Sequence, residues 1–462
     1  MNKIFAKYFP IFFIFLSLCF LSFVVYKSEY FHQGVKAQHY KIYYIIGISF
    51  LFFSIVNFFL NEEVKIKISI IVLSTIFSLY LIEVFLLVSV LGDKNDRADN
   101  PAIQIKIKKE PNFDTRSLVE VYEDMKTKNK NTVLAIYPNS FLENTNQQLL
   151  QLSGISNRKT ILCNENGYYA TYQSDRYGFN NPDNEWNKKQ VAFFLVGDSF
   201  IQGYCVNEKD TIGGNIRKKN KVGAVLSLGY GNNGPLIIHA TLREYLPLTN
   251  TKKVLWFYLE SRGKNLNKRL NREINNFILQ NYLNNKEFSQ NLPLKQNDID
   301  AKLKKFLEKE KSIEQQLYKS NPLLRFIKLS FFRRYTTERI FSVPSLDMDE
   351  ILDKFTEIIS LSKSFTQKRG AKFYFVYLPD TERYFEANKN TNDYNNYEKI
   401  INIVKKLDVP IIDINKELHL TVEDPLALYP FRMEGHYNEL GYRLVAETIL
   451  KKIDEYDSLE KE

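Results

Sequence analysis

Three long apolar runs in the first 92 residues constrain the fold more than any other feature of the sequence. Residues 8–26 and 42–60 each extend for 19 residues without a charged side chain, and residues 68–92 extend for 25 with Glu83 as their single charge. A helix needs about 20 apolar residues to cross the hydrocarbon core of a bilayer, and it satisfies its backbone hydrogen bonds within one segment. We therefore predict that residues 1–92 form a membrane anchor of three transmembrane helices.

The charges beside these runs bear on processing and orientation. Lys3 and Lys7 precede the first run, as basic residues precede a signal peptide. Residues 26–29 (YKSE) lack the small side chains of a cleavage site, so we favour an uncleaved helix. Basic residues favour the cytoplasmic side, and a cytoplasmic start followed by three spans places the remaining chain outside the cytoplasm. The basic loop after the first run argues for the opposite orientation.

Residues 93–462 have the composition of a soluble domain. The chain as a whole has 462 residues, 44% of them hydrophobic, and a formal net charge of +10. This positive excess is too dilute to indicate a nucleic-acid surface. The three cysteines and five histidines do not have metal-ligand spacing. We therefore expect no metal, no cofactor and no nucleic-acid partner.

Cys163 and Cys205 are the two cysteines outside the apolar runs. Two such thiols are able to pair in an exported domain, whereas thiols stay reduced in the cytoplasm. A disulfide also requires their Cα atoms to lie within bonding distance, which the sequence does not establish. A Cys163–Cys205 disulfide and two buried free thiols are therefore equal alternatives.

Short apolar strands alternate with helical patterns beyond residue 131. The predicted strands are residues 132–137, 191–196, 222–228, 253–259, 372–378 and 409–414. Strands that are apolar along their whole length and alternate with helices are typical of a parallel sheet covered on both faces. We predict a three-layer α/β/α domain over residues 131–462, joined to the anchor by a linker and juxtamembrane segment over residues 93–130.

A stretch without strand patterns interrupts this alternation at about residues 264–340. It is rich in Lys, Asn, Gln and Glu with helical periodicity, and we predict a helical insertion there. Within it, residues 323–335 (LLRFIKLSFFRRY) combine apolar and basic side chains. A basic amphipathic helix of this kind is able to lie on a membrane surface, but packing of its apolar face on the domain is the commoner outcome.

Ser199 and His436 are the residues best placed for covalent chemistry. Residues 191–200 (VAFFLVGDSF) form an apolar strand that ends in a Gly-Asp-Ser turn, which would expose the serine at the carboxyl edge of the sheet. A helix that starts there would direct backbone N–H groups towards the same point. A serine nucleophile requires a base, and His436 lies in a turn-rich stretch directly before the last predicted helix.

With these two segments, the chain resembles the SGNH/GDSL hydrolase superfamily over roughly residues 190–260 and 370–455. The GDSF sequence resembles its nucleophile motif, and EGHYNELGY (residues 434–442) resembles its histidine block. The arrangement is also similar to a membrane-anchored bacterial group within the superfamily, which shares residues 163–169, 174–182 and 203–206. The resemblance implies attack by Ser199 on an acyl carbonyl, with His436 as the proton carrier.

The resemblance leaves the third member of a catalytic triad open. In the superfamily a carboxylate three residues before the histidine orients the imidazole, and here that position is Met433. Glu434 is the nearest carboxylate in the sequence, and we assign it this role. Asp424 and Asp413 are the alternatives.

Two positions in the implied oxyanion hole also depart from the superfamily pattern. Asn232 aligns with a glycine whose backbone N–H donates to the oxyanion, and Asn is among the residues least strained at a positive φ. Arg262 aligns with an asparagine, and its longer planar head would need a differently shaped site; Asn265 is the alternative if the loop is shifted. Because loss of one oxyanion donor costs about 10²–10³ in turnover, these departures are compatible with a slow enzyme.

The sequence therefore predicts a membrane-anchored SGNH-type serine ester hydrolase or O-acyltransferase. Its expected location is the bacterial inner membrane with a periplasmic domain, and its expected substrate is an acyl ester, for example of envelope polysaccharide. Three spans are too few to form a channel for an acyl donor, so an acyltransferase would need a membrane partner to supply one. The alternative is a catalytically degenerate protein of the same fold that binds glycan or assembles an envelope complex.

Overall fold

The structure is a computed structural model that divides into two compact units. It describes residues 2–31, 34, 37–89, 101–143, 147–220, 223–260, 264–318, 326–327, 329–330, 332–333, 336, 346–386 and 396–460. The first unit, here called the helical unit, comprises Met1–Asp96, Phe141–Gln148 and Ser312–Pro344. The second, the α/β unit, comprises Arg97–Ser140, Leu149–Lys311 and Ser345–Glu462.

Three apolar helices form the core of the helical unit. They are α1 (Asn2–Val25), α2 (Ala37–Phe58) and α3 (Glu62–Ser89). The segments Tyr8–Phe31, Tyr40–Phe58 and Glu62–Leu86 are long and apolar enough to cross a membrane. Phe15, Phe52 and Phe77 are each more than 60% exposed, as lipid-facing side chains would be. The prediction of three apolar helices over residues 1–92 is confirmed.

Glu83 lies inside α3 and is fully buried. Its Oε2 accepts a hydrogen bond of 2.7 Å from the backbone N–H of Phe332. One turn earlier in α3, the Tyr80 hydroxyl donates to the carbonyl of Ile327, and the Tyr80 ring lies 5.1 Å from that of Phe326. The described part of the amphipathic segment 323–335 thus packs on α3 within the helical unit, which corrects the expectation that it packs on the α/β domain.

A five-stranded parallel sheet forms the centre of the α/β unit. Its strands are β4 (Val191–Gly197), β5 (Ala224–Gly229), β6 (Thr251–Leu259), β7 (Lys372–Leu378) and β8 (Ile411–Asp413). They lie in the order β5-β4-β6-β7-β8, with every neighbouring pair parallel. Because β4 is paired with β5 on one side and β6 on the other, it is an interior strand of the sheet. The predicted α/β domain with a parallel sheet is confirmed.

Helices cover both faces of this sheet. On one face, alternate residues of the strands pack with α7 (Ile212–Lys219) and with the last helix of the chain, Glu439–Leu459. On the other, α8 (Pro235–Tyr245) and the helix Met348–Gln367 cover the sheet, and Phe355 contacts the rings of Tyr258 and Phe375. This alternation follows from the period of two along a strand.

A second, smaller sheet precedes the large one in the chain. It contains β1 (Thr132–Leu134), β2 (Lys159–Ile161) and β3 (Thr171–Gln173), with β1 parallel and β3 antiparallel to β2. The described part of the predicted linker before it contains α4 (Pro101–Lys109) and α5 (Leu118–Lys128). The nine-residue connection between β2 and β3 becomes important in the candidate site.

Helices also form the described part of the predicted insertion. They are α9 (Lys264–Ile274), α10 (Phe277–Asn284) and α11 (Gln296–Tyr318). The division between the two units falls within α11, after Lys311. Beyond this insertion, the helices of the described residues include α12 (Met348–Gln367), α13 (Asn396–Lys406) and α14 (Glu439–Leu459).

Candidate active site

Ser199 lies directly beyond the carboxyl end of β4, as its sequence context predicts. It is the first residue of the short helix α6 (Ser199–Gln202). Asp198 caps this helix, because its Oδ1 accepts a hydrogen bond of 3.1 Å from the backbone N–H of Phe200. Its other oxygen forms an ion pair of 3.0 Å with Arg269 of α9. Asp198 therefore shapes the turn that presents the serine.

His436 meets Ser199 from the loop that precedes α14. The distance between its Nε2 and the Ser199 Oγ is 2.8 Å. The imidazole contacts two aromatic rings, with centroid distances of 4.7 Å to Phe200 and 4.6 Å to Tyr204. These rings restrict the rotation of the histidine, and they belong to the same segment as the serine.

Glu165 is the carboxylate that contacts His436. The His436 Nδ1 lies 3.0 Å from one carboxylate oxygen, and the His436 backbone N–H donates to the other at 2.7 Å. A carboxylate at Nδ1 keeps a proton on that nitrogen and leaves Nε2 free to accept one from serine. The two hydrogen bonds also hold the imidazole and its backbone in a fixed relation to Glu165.

The electrostatic surroundings keep Glu165 ionised. Burial alone would raise the pKa of its carboxyl, but the charge and hydrogen bonds of His436, together with the charge of Lys106, lower it below its usual value. The carboxylate thus retains its negative charge opposite the imidazole. Such a charge would stabilise an imidazolium formed during proton transfer.

The assignment of Glu434 as the orienting carboxylate requires correction, because Glu165 occupies that place. Glu434 is exposed although it is only two residues from His436. Asp424 forms an ion pair of 2.7 Å with Arg432. The carboxylate of Asp413 accepts hydrogen bonds from the Tyr397 hydroxyl and from the backbone N–H of Asn415. Proximity in sequence misled the prediction, since the carboxylate comes from 271 residues away.

The loop that carries Glu165 connects β2 to β3 and is cross-linked to the serine segment. Cys163 and Cys205 form a disulfide, with their Cα atoms 4.9 Å apart. The Asn166 side chain donates a hydrogen bond of 2.9 Å to the backbone carbonyl of Cys205. One sequence signal could have identified Glu165. It lies two residues after Cys163, within residues 163–169, a run that is shared with the group the chain resembles.

Asn232 adopts the left-handed backbone conformation, with φ of 61°. The preceding N–H of Gly231 donates to the side-chain oxygen of Gln202, at 2.9 Å, which ties this loop to α6. Neither the Asn232 N–H nor the Ser199 N–H donates to another residue in the described ranges. Both amides are therefore free to donate to a substrate oxygen. Arg262 lies outside the described residues.

Glu273 fixes the other end of the Asn232 loop. This carboxyl, buried in α9, accepts hydrogen bonds from the backbone N–H groups of Gly234, Leu236 and Ile237 at the start of α8. Burial raises its pKa to about 7, despite these hydrogen bonds and the charge of Arg269. Its partners are mainly neutral amides, which stabilise the carboxylate less than a full cation does.

The two other described histidines of the α/β unit are structural. His239 is buried in α8 with its Nδ1 2.7 Å from the Ser362 hydroxyl, and burial lowers its pKa to about 3. His419 is buried with its Nε2 3.1 Å from the Tyr429 hydroxyl, and burial lowers its pKa to about 4. Across the described ranges, no group of three or more His, Cys, Asp or Glu residues is arranged to hold a metal ion.

Comparison with known proteins adds a distant neighbour. No protein-family model matches the chain, and no curated protein matches it. Among solved structures, it is similar to a protein assigned to the G-D-S-L lipolytic family from Desulfitobacterium hafniense DCB-2, at 12% sequence identity and a TM-score of 0.30. The similarity covers 56% of this chain and 97% of the other. We therefore infer function from the geometry of the site.

Proposed function

We propose that this protein is a serine ester hydrolase or O-acyltransferase of the SGNH type, anchored in the bacterial inner membrane. The observation that carries the proposal is the hydrogen-bonded series from Glu165 through His436 to Ser199, with contacts of 3.0 and 2.8 Å. A hydroxyl, an imidazole and a carboxylate in this order form the arrangement that activates a serine in unrelated hydrolase folds.

In the first half-reaction, the Ser199 oxygen attacks the acyl carbon while His436 Nε2 takes the hydroxyl proton. Glu165 stabilises the resulting imidazolium through Nδ1. The carbonyl oxygen of the tetrahedral intermediate becomes negative and would accept hydrogen bonds from the backbone N–H groups of Ser199 and Asn232. When the ester bond breaks, the imidazolium gives its proton to the leaving alcohol, and an acyl-serine remains.

The second half-reaction determines whether the enzyme hydrolyses or transfers. His436 again accepts a proton, this time from water or from an acceptor hydroxyl, whose oxygen attacks the acyl-serine. Water yields a free acid, whereas an acceptor hydroxyl yields a new ester. In both cases His436 returns the proton to Ser199 and restores the starting state.

Two features support a periplasmic location and an envelope substrate. The Cys163–Cys205 disulfide is favoured in an oxidising compartment. The three apolar helices would keep the α/β unit at the membrane, beside polysaccharide that is modified in the envelope. The resemblance to the SGNH superfamily supports acyl esters of such polysaccharide as substrates, with a membrane partner as acyl donor if the reaction is a transfer.

Two positions in the sequence favour the alternative function, a degenerate binding protein: Met433 in place of the usual acid and Arg262 in place of the usual asparagine. Glu165 supplies a carboxylate to His436 from another part of the chain, which removes the support from Met433. Arg262, which stands where the superfamily has an asparagine, still favours the alternative.

A serine-directed probe tests the proposal on the full chain in detergent micelles. A fluorophosphonate should label the wild type, because the Ser199 oxygen displaces fluoride at phosphorus while His436 takes the proton. Ser199→Ala should abolish labelling, whereas Ser458→Ala, which changes an exposed serine on α14, should label as the wild type does. A folded wild type that does not label would favour the binding function.

A second assay separates hydrolysis from transfer. It measures release of acid from a p-nitrophenyl ester, with and without added oligosaccharide.

A further inference from the structure

The carboxylate of the candidate site has an unusual origin within the fold. Ser199 follows a strand of the large sheet, and His436 precedes the helix that covers one face of that sheet. Glu165 instead belongs to the loop between two three-residue strands of the small sheet. Such short strands provide few hydrogen bonds, so the position of this loop depends on other contacts.

The disulfide is the covalent contact between this loop and the serine segment. Cys163 lies two residues before Glu165, and Cys205 lies six residues after Ser199. A single cross-link therefore connects the segment that carries the carboxylate to the segment that carries the nucleophile. The side chain of Asn166, on the other side of Glu165, donates to the Cys205 carbonyl.

The disulfide also lies next to a residue that packs on the imidazole. Cys205 is fully buried and adopts a φ of 62°, a conformation that few non-glycine residues adopt without support from their surroundings. Its neighbour Tyr204 packs against His436, and the Tyr204 carbonyl accepts a hydrogen bond of 3.2 Å from the Tyr442 hydroxyl. Two of the His436 contacts, those with the Glu165 carboxylate and the Tyr204 ring, thus come from residues within two positions of the disulfide.

We propose that the Cys163–Cys205 disulfide is a positioning element that holds Glu165 against His436, so that reactivity of Ser199 requires the oxidised pair. This inference rests on the proposed function. Reduction by a dithiol cleaves the S–S bond, converts both sulfurs to thiols and oxidises the dithiol to its own disulfide. The Glu165 loop then retains only non-covalent contacts with the serine segment.

The test compares rates of Ser199 labelling by a fluorophosphonate, using the full chain in micelles. Cys163→Ala should lower the maximal labelling rate roughly 10- to 100-fold, the cost of misplacing a reacting group by about 1 Å, without changing the probe concentration that gives half that rate. Reduced wild type should behave in the same way. Cys19→Ala removes the free cysteine of α1 and should change nothing, and Cys163→Ala should not respond to the dithiol.

A combined variant separates positioning from general stability. Glu165→Gln alone should slow labelling strongly, and addition of Cys163→Ala should slow it little further, because the disulfide acts through a carboxylate that is already absent. Equal losses in both backgrounds would overturn the inference. So would a reduced wild type that unfolds at the assay temperature, or one that labels at the oxidised rate. Failure of the oxidised wild type to label would instead overturn the proposed function, and this inference with it.

Discussion

The two sheets of the α/β unit contribute to the candidate site in different ways. The large sheet places Ser199 through regular structure, since β4 is paired on both sides and its turn is capped by Asp198. The small sheet places Glu165 through a disulfide and a few individual hydrogen bonds. The comparison indicates that the nucleophile is held by the fold as a whole, whereas its carboxylate is held by local cross-links.

The largest loss of ester turnover should come from a substitution on the large-sheet side of the site. His436→Ala removes the base that accepts the Ser199 proton, and loss of the base costs about 10⁶ in turnover in a well-studied serine protease. We expect ester turnover to fall at least about 10⁴-fold, measured as alcohol release by the full chain. His419→Ala is the matched control for loss of an imidazole, and it should lower thermal stability while the folded fraction keeps its rate. A residual rate near that of the wild type would contradict the role of His436.

A substitution on the small-sheet side should give the next largest loss of turnover. Glu165→Gln keeps the size of the side chain but removes its charge and favours the wrong imidazole tautomer, which costs about 10⁴ in a related triad. We expect a fall in kcat of roughly 10³–10⁴ with little change in KM. Glu434→Gln, two residues before the histidine, should stay within about threefold of the wild type. The reverse ranking of these two variants would restore the sequence-based assignment.

Glu273, a buried carboxyl on the large-sheet side, should titrate at a higher pH than Glu165 does. The pKa of Glu273 is raised to about 7 in the fold, against about 4.3 in an unfolded chain. Between these values the folded state holds a proton that the unfolded state has released, so stability falls as pH rises from about 4.5 to 7. The expected contribution is up to about 1.4 kcal/mol per pH unit.

Urea unfolding of the full chain at several pH values measures this slope. Glu273→Gln should be less stable overall, because an amide donor faces backbone N–H groups, but its stability should fall less steeply over the same pH range. Asp175, whose pKa burial raises to about 6, titrates in both proteins and cancels in the comparison. Parallel curves for variant and wild type would show that Glu273 does not titrate in this range.

The smallest effect should come from the backbone at Asn232. Its φ of 61° is tolerated by Asn and Gly more readily than by Ala. Asn232→Ala should lower the unfolding free energy by about 1 kcal/mol, whereas Asn232→Gly should change it by less. Because both variants keep the backbone N–H, turnover by the folded protein should change little. A large loss of turnover in Asn232→Gly would show that the side chain itself takes part.

The sequence predicted the large-sheet side of the site because the relevant signals are local. Apolar runs of six or seven residues mark β4 and its neighbours, and the Gly-Asp-Ser turn follows the strand directly. His436 lies in a turn before a helix with clear periodicity. The three apolar helices of the helical unit were equally predictable, since uncharged runs of about 20 residues are typical of membrane spans.

Most of the small-sheet side escaped prediction for physical reasons. The predicted strand over residues 132–137 contains β1, but β2 and β3 were not predicted, because three residues are too few for hydrophobic alternation to be seen. Glu165 is separated from His436 by 271 positions, and only the folded chain brings them together. The two cysteines offered a clue, but their pairing could not be decided without the distance between their Cα atoms.

The contacts of α3 with Phe332 and Ile327 carry a practical consequence for anyone who trims this chain. Cutting after Asp96 to remove the three apolar helices would leave Ser312–Pro344 behind while discarding Tyr80 and Glu83. The retained stretch would lose the hydroxyl and the carboxylate that bond to the peptide groups of Ile327 and Phe332, and Phe326 would lose the ring on which it packs. A shortened version that keeps the α/β unit should therefore lose Ser312–Pro344 together with the first 96 residues.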